Sequence, residues 1–390
     1  MSDDFLLLNP GPVPLAEPVL EVMREPMVSH RSTSFEADYR RAQEGVQHVF
    51  ETSSLDGSST AAGGTPLLLM GTATLGMEAA VANLISPDET VLPIVNGKFG
   101  RRFRRIAEKY ATVKPVEFEW GDSVDVDVVA ETIDDDVDLV TMVHNETSTG
   151  LLNPVEAIGE LARDHGANFV VDGVTSIGGD VFKLDEWGVD IAITDAQKAL
   201  AAPPGISAVY VAAGVETEID GENAPFYADL PRHVKKAHDH QTPFTSAVPL
   251  VRSMAVSMDR IREEGMPERI GRHRRQASAF RAAFAEMGLE RFPTVTGESQ
   301  ASNTVTAISL PDSIKADPDS FFDAVAAQNV SISGGQAHLG GHIFRVSTMG
   351  ELTSDQVRRG IRTIAEALDS VGFAVDSDGA IAAADTELAA

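Results

Sequence analysis

Three polar clusters stand directly after apolar runs, and their residue types fit the needs of one cofactor. The run 168–171 ends in Asp172, followed by Gly173. The run 189–194 leads into Asp195-Ala196-Gln197-Lys198, and the run 66–70 ends in Gly71-Thr72-Ala73-Thr74 and opens a helical pattern. A lysine amine can form a Schiff base with an aldehyde cofactor. A buried carboxylate can keep a pyridine nitrogen protonated, and a helix N-terminus can hold a phosphate. Together these describe a site for pyridoxal phosphate. Singly, each cluster has a plainer reading: Asp172 as a turn or cap residue, Lys198 as a solvated lysine, and 71–74 as an ordinary βα turn.

The elements that must position these groups alternate along the chain. Apolar runs at 66–70, 90–96, 111–120, 137–145, 168–174, 189–196 and 206–214 are separated mostly by helical patterns such as 75–85, 99–110 and 154–165. Seven strands interleaved with helices read as an α/β domain with a mostly parallel sheet. Continuous runs such as Phe169-Val170-Val171 fit strands buried on both faces. Ligands in such sheets bind at the carboxyl ends of the strands, where the three clusters fall.

After about Pro249 the pattern changes to helices at 249–264 and 267–287, strands at 304–309 and 343–347, and helices at 319–328 and 354–370. This composition reads as a second, smaller α+β domain. The expected organisation is an N-terminal arm (1–14), a large cofactor-binding domain (15–250), a small C-terminal domain (251–373) and a disordered acidic tail (374–390). The Ser/Gly/Ala-rich stretch 53–65 also reads as a loose loop.

Composition narrows the function classes. The 390 residues are 43% apolar and contain no cysteine, which excludes disulfides, thiolate metal sites and a cysteine nucleophile. Asp plus Glu number 59 against 31 Lys plus Arg, of which only eight are Lys, for a net charge of −28. Such a surface repels nucleic acid and anionic membranes. At molar salt the screening length falls to ~3 Å and the self-repulsion largely disappears, so the expectation is a cytoplasmic protein of a salt-accumulating halophile. The start of the chain lacks the basic residues of a signal peptide, and no run is long enough to span a membrane. His338 and His342, in a Gly-rich loop without a supporting carboxylate, are a poor metal site.

Around the lysine, Thr194-Asp195-Ala196-Gln197-Lys198-Ala199-Leu200 and then Pro203-Pro204-Gly205 resemble the class V aminotransferases. The branch most resembled is that of the alanine–glyoxylate, serine–glyoxylate and serine–pyruvate enzymes. The resemblance runs from about Leu6 to Leu368. It takes in Asn9-Pro10-Gly11-Pro12, Ser29-His30-Arg31, Gly71-Thr72-Ala73-Thr74-Leu75-Gly76-Met77-Glu78-Ala79 and Asn96-Gly97-Lys98-Phe99-Gly100. Further on it takes in His144-Asn145-Glu146-Thr147-Ser148-Thr149-Gly150, Val171-Asp172-Gly173-Val174-Thr175-Ser176 and Phe344-Arg345-Val346-Ser347.

This resemblance implies the fold-type I architecture, pyridoxal 5′-phosphate as cofactor, amino-acid and 2-oxo-acid substrates, and a homodimer with composite sites. It implies Lys198 as the Schiff-base lysine, Asp172 on the pyridine nitrogen, Val174 on one ring face and Phe99 on the other. Thr72, Ala73, Thr74 and Gln197 match phosphate contacts, and Thr149 a hydroxyl near the ring oxygen. Arg345 matches the clamp on the substrate carboxylate, with Pro10 and Gly11 also at the substrate. Thr245 matches a phosphate contact lent by the partner subunit. Two positions depart from the pattern: Ala73 stands where Gly is frequent, and Thr242 where some members have a tyrosine that supplements the inter-subunit contact.

The implied activity is ping-pong amino transfer between alanine or serine and glyoxylate or pyruvate. A donor such as phosphoserine or aspartate, which a further distal cation in the pocket would favour, is the second reading, and a lyase on the same fold the third. A desulfurase would need a catalytic cysteine. A silent binding protein is at odds with the retention of Lys198, Asp172 and Arg345.

Overall fold

The computed structural model describes residues 5–219 and 221–390. The central sheet is built from β1 (Thr65–Met70), β2 (Thr90–Val95), β3 (Thr112–Val113), β4 (Val116–Glu117), β5 (Leu139–Val143), β6 (Asn168–Asp172), β7 (Ile191–Asp195) and β8 (Ile206–Val211). Its order is β1-β8-β7-β6-β5-β2-β3, with β4 also pairing β2. Every pairing is parallel except those of β8, which runs against both β7 and β1. The apolar run expected as one strand over 111–120 is two short strands, β3 and β4. Pro115 lies between them, and proline cannot donate to a ladder.

The strands carry apolar side chains on both faces, as a sheet covered on both sides requires. Residues such as Phe169 and Val171 pack in one buried cluster and Val170 in another across the sheet. Helix α1 (Thr33–Thr52) packs on the sheet near the start of β1, whereas α2 (Ala73–Leu84) and α3 (Lys98–Ala107) begin at the carboxyl ends of β1 and β2. Helix α2 starts directly after β1, and Gly76 lets it seat tightly on the sheet. A Cβ there would come within 2.6 Å of Ser207 Oγ and 2.9 Å of Ile193 Cγ2.

The smaller domain has β9 (Val305–Ser309), β10 (Ser333–Gly334) and β11 (Ile343–Ser347), with β11 in the middle and antiparallel to both neighbours. Helices α4 (Val248–Glu264) and α5 (Met266–Glu286) lead to it, and α6 (Ser354–Ser370) covers it. Helix α4 buries Val251, Met254, Ala255, Met258 and Ile261 in the large-domain core, whereas Phe280 and Phe284 of α5 belong to the small-domain core. The change of core therefore falls within α5 rather than at residue 251. Leu6 and Leu8 of the N-terminal arm join the small-domain core, where Leu6 and Leu7 pair in parallel with Val330 and Ser331.

Two segments expected to be disordered are ordered. Residues Ser377–Leu388 form α7, capped by the Asp376 side chain, which accepts from Gly379 N. Alanine is the strongest helix former, and Ala380 and Ala384, one turn apart, are buried in the small-domain core with Phe284 of α5. The acidic residues mark the wet face of that helix, not a solvated tail. Of the stretch 53–65 only Thr65 belongs to a strand, but hydrogen bonds tie the rest to the large domain. Thr60 donates its hydroxyl to Phe50 O, Phe182 N donates to Ser53 O, and Asp185 N donates to Thr60 O. No helix of the described residues is long and apolar enough to cross a membrane.

Candidate active site

The carboxyl ends of β1, β5, β6 and β7 open onto a cavity of about 290 Å³. Its walls include Thr72, Ala73, Thr74, Phe99, Asp172, Val174, Gln197 and Lys198, eight of the positions singled out in the sequence. Strand register brings them together: Asp172 pairs with Val143 on one side and Ile193 on the other, two residues before Asp195.

Lys198 sits in the turn after β7, and burial pushes its pKa down. The carboxylates of Asp195 and Asp172 pull the other way, while Arg345 and Arg102 add to the depression. Its amine donates to Pro10 O. Gly11 has φ +100°, and a Cβ there would fall 2.6 Å from Lys198 Nζ, so this turn must be glycine to pass the amine. Pro10 and Gly11 thus touch the lysine and are not among the residues lining the cavity.

Asp172, at the end of β6, accepts from Val174 N through Oδ1 at 2.9 Å. Burial raises its carboxyl to about 7, the Val174 bond opposes this, and the Glu146 and Asp195 carboxylates add to the rise. A proton is therefore bound in the free protein over a range where the unfolded chain, at an ordinary 3.8, has lost it. Stability then falls as pH rises from about 4 to about 7. Asp172→Asn is accordingly expected to make the cofactor-free protein more stable at pH 7.5, by up to roughly 3–4 kcal/mol, with the difference vanishing near pH 4. Thermal melts of the two cofactor-free proteins at both pH values check this. An Asn variant that melts lower at pH 7.5 contradicts it.

Phe99 is placed by a residue to which the sequence reading gave no role. Glu146 is fully buried. Its Oε2 accepts from Phe99 N and Gly100 N at 2.9 and 3.1 Å, and its Oε1 accepts from Ser148 N and Oγ. The carboxylate thus fills the start of α3, where a negative charge is favoured. Arg102, one turn into α3, lies 4.8 Å over the Phe99 ring and donates to Thr74 Oγ1 at 2.9 Å. Arg102, Val143, Asn145, Thr147, Thr175 and Asp195 complete the walls. Glu146 and Arg102 bond to groups 46 and 28 residues away, a relation that no local spacing signals.

Three expected residues lie elsewhere. Thr149 is fully buried with its hydroxyl on Glu146 O, and Thr147 and Thr175 line the cavity instead, the Thr175 hydroxyl donating to Asn145 O. Thr245 is exposed and lines no part of this chain's cavity. Arg345 is 4% exposed and stands behind the wall. Its Nη1 donates to Thr147 O at 2.7 Å, and its Nε and Nη2 donate to Gly334 O at 3.1 and 2.8 Å. A guanidinium has five N–H groups, so one remains on each Nη. Burial lowers its pKa to about 10, which leaves it charged at neutral pH, with the Glu146 carboxylate opposing the shift.

The donor set fits pyridoxal phosphate. There is an amine for the aldehyde, a carboxyl for the ring nitrogen, Phe99 and Val174 for the ring faces, and a hydroxyl-rich helix start for the phosphate. Buried Gln197 Oε1 and Asn145 Oδ1 on the walls have no partner within the protein. One group fits less simply: the Asp195 carboxylate already occupies the first amide of α2.

This sheet, with an amine and a carboxyl at adjacent strand ends, defines a fold-type I pyridoxal-phosphate-dependent enzyme. The chain belongs to the class V aminotransferase family, whose model, Aminotransferase class-V, matches residues 8–358. It is 36% identical to an uncharacterised aminotransferase of Methanocaldococcus jannaschii, over 96% of this chain and 95% of that protein. It is 31% identical to a serine–glyoxylate aminotransferase of Arabidopsis thaliana, over 98% and 94%. The crystal structure of ureidoglycine–glyoxylate aminotransferase from Bacillus subtilis superposes with a TM-score of 0.88 at 30% identity, covering 100% of this chain and 99% of that one. The protein is a pyridoxal-phosphate-dependent transaminase.

Proposed function

We propose that the enzyme moves an amino group from alanine or serine to glyoxylate or pyruvate in two half-reactions at one site. Bound pyridoxal phosphate supplies an aldehyde that takes up the amino group and a ring that receives the electron pair released at the substrate Cα. In this reading Lys198 holds the cofactor and, once displaced from it, carries the proton at Cα. Asp172 holds the proton on the ring nitrogen, and Phe99 and Val174 fix the ring plane. Gln197 and the start of α2 take the phosphate, and Arg345 takes the substrate carboxylate. The observation that carries the reading is the cavity that brings Lys198 and Asp172 together, with the anchored guanidinium of Arg345 behind its wall and near enough to act on the Lys198 amine. Every donor and acceptor proposed has an α-carboxylate for that fork. Glyoxylate as acceptor is supported by the plant and Bacillus relatives, both glyoxylate aminotransferases.

Arg102 favours a second reading. It is a further cation on the cavity wall and would suit a donor with a second anionic group, such as aspartate or phosphoserine. A panel of amino donors against glyoxylate, pyruvate and 2-oxoglutarate in molar potassium chloride separates the two. The expected result is the highest kcat/KM for alanine or serine with glyoxylate or pyruvate. A preference for aspartate or phosphoserine decides for the second reading. The homodimer, the lent Thr245 and the cytoplasmic, salt-adapted setting belong to this proposal as well, supported by the exposure of Thr245 and the net charge of −28.

A further inference from the structure

Asp195 ends β7, three residues before Lys198, and none of the roles above uses it. It is 3% exposed. Its Oδ2 accepts from Ala73 N at 3.0 Å and from Gln197 Nε2 at 2.6 Å, while its Oδ1 is buried without a partner. Ala73 and Gln197 are two of the groups assigned to the cofactor phosphate. One carboxylate oxygen thus holds both. The Thr72 side chain makes no cap of its own at the start of α2, so Asp195 supplies the anion that a helix N-terminus favours.

We infer that Asp195 is a resident anion of the phosphate end: in the cofactor-free protein it holds the amide of Ala73 and the amide of Gln197, and it yields both to the phosphate when cofactor binds. The inference rests on the cofactor reading given above. The one N–H of Ala73 cannot fully serve two anions, and a phosphate carrying about −1.5 to −2 charge is repelled by a carboxylate beside it; a carboxylate that swings away releases the Gln197 amide too, leaving both of its N–H donors free. The backbone of Asp195 is fixed by its pairing with Ser207 across β7 and β8, so the exchange falls to side-chain rotation. Among the charged groups around it, Lys198 attracts the carboxylate and Asp172 repels it. The consequence is a cup that is stable when empty and grips phosphate less tightly than its donors would allow.

The test uses the full chain freed of cofactor, in molar potassium chloride, with affinities measured by absorbance and fluorescence titration. Buried charges are screened little by salt, so the effect persists there. The probes are pyridoxal 5′-phosphate and pyridoxal, which differ only in the phosphate. Asp195→Asn and Asp195→Ser are expected to bind pyridoxal 5′-phosphate about tenfold or more tightly than the wild type. Their affinity for pyridoxal is expected to change less than about twofold. Unchanged or weaker binding of pyridoxal 5′-phosphate overturns the inference, because Asp195 is then a strut that orients Gln197. Equal changes for both probes overturn it too, since the effect is then not on the phosphate. If neither variant folds, the carboxylate is required for folding and is not a displaceable anion, and the inference also fails. A wild type that binds neither probe rejects the cofactor reading itself.

Discussion

Lys198→Ala is expected to lower transaminase turnover by about four orders of magnitude or more, because in the proposed reading one side chain both anchors the cofactor and moves the proton at Cα. The second role needs an amine that can lose its proton. An amine in water, at an ordinary 10.5, is almost wholly protonated and cannot accept a proton. Burial in the cavity moves Lys198 toward the neutral form. Two carboxylates, Asp172 and Asp195, work against that shift. The wild type should be yellow, and borohydride should fix the chromophore to the peptide containing Lys198. The Ala variant should bind cofactor reversibly, yield no labelled peptide and recover little activity with added alkylamines. A labelled peptide elsewhere in the chain, or turnover within tenfold of wild type, is incompatible with the assignment. Lys198→Arg keeps the charge but titrates too high to accept a proton, and it should be as inactive as Ala.

The fold was largely legible because strand and helix periods are properties of local sequence. Helix α6 is read at the residues the structure shows, and the strand 343–347 likewise. The misreadings have physical causes outside that local window. Segment 377–388 is acidic and Ala-rich, which looks like a solvated tail until α5 offers a surface for Ala380 and Ala384. Stretch 53–65 is polar, but its partners Phe182 and Asp185 lie more than 120 residues away. The site divides along the same line. Lys198, Asp172 and the 71–74 turn follow strands directly, so the order of elements exposes them. Glu146 and Arg102 act by filling the start of α3 and bridging to Thr74, relations that exist only once β5 lies beside β2 and the helices α2 and α3 are packed on the assembled sheet. Thr147 and Thr149 stand two positions apart in one motif, and only the folded turn decides which of them reaches the cavity.

Arg345→Ala is expected to lower kcat/KM by ~30- to several-thousand-fold for donor and acceptor alike, as loss of a partly desolvated charge-assisted pair of about 2–5 kcal/mol implies. Both half-reactions should suffer, since both substrates carry the same α-carboxylate. Cofactor binding and colour should survive, because Lys198, Asp172 and the start of α2 are untouched. The three bonds from Arg345 to Thr147 O and Gly334 O also tie β10 to the turn after β5, so some loss of stability should accompany the kinetic loss. A purely structural role predicts that loss of stability alone, with kcat/KM near wild type below the melting range. That outcome would remove Arg345 from the substrate site. Lys at this position distinguishes the roles further. An ammonium has three N–H donors, and satisfying the two carbonyls leaves one for substrate where the guanidinium leaves two. Arg345→Lys should therefore recover most of the stability but only part of the rate, with the deficit appearing in KM for both substrates.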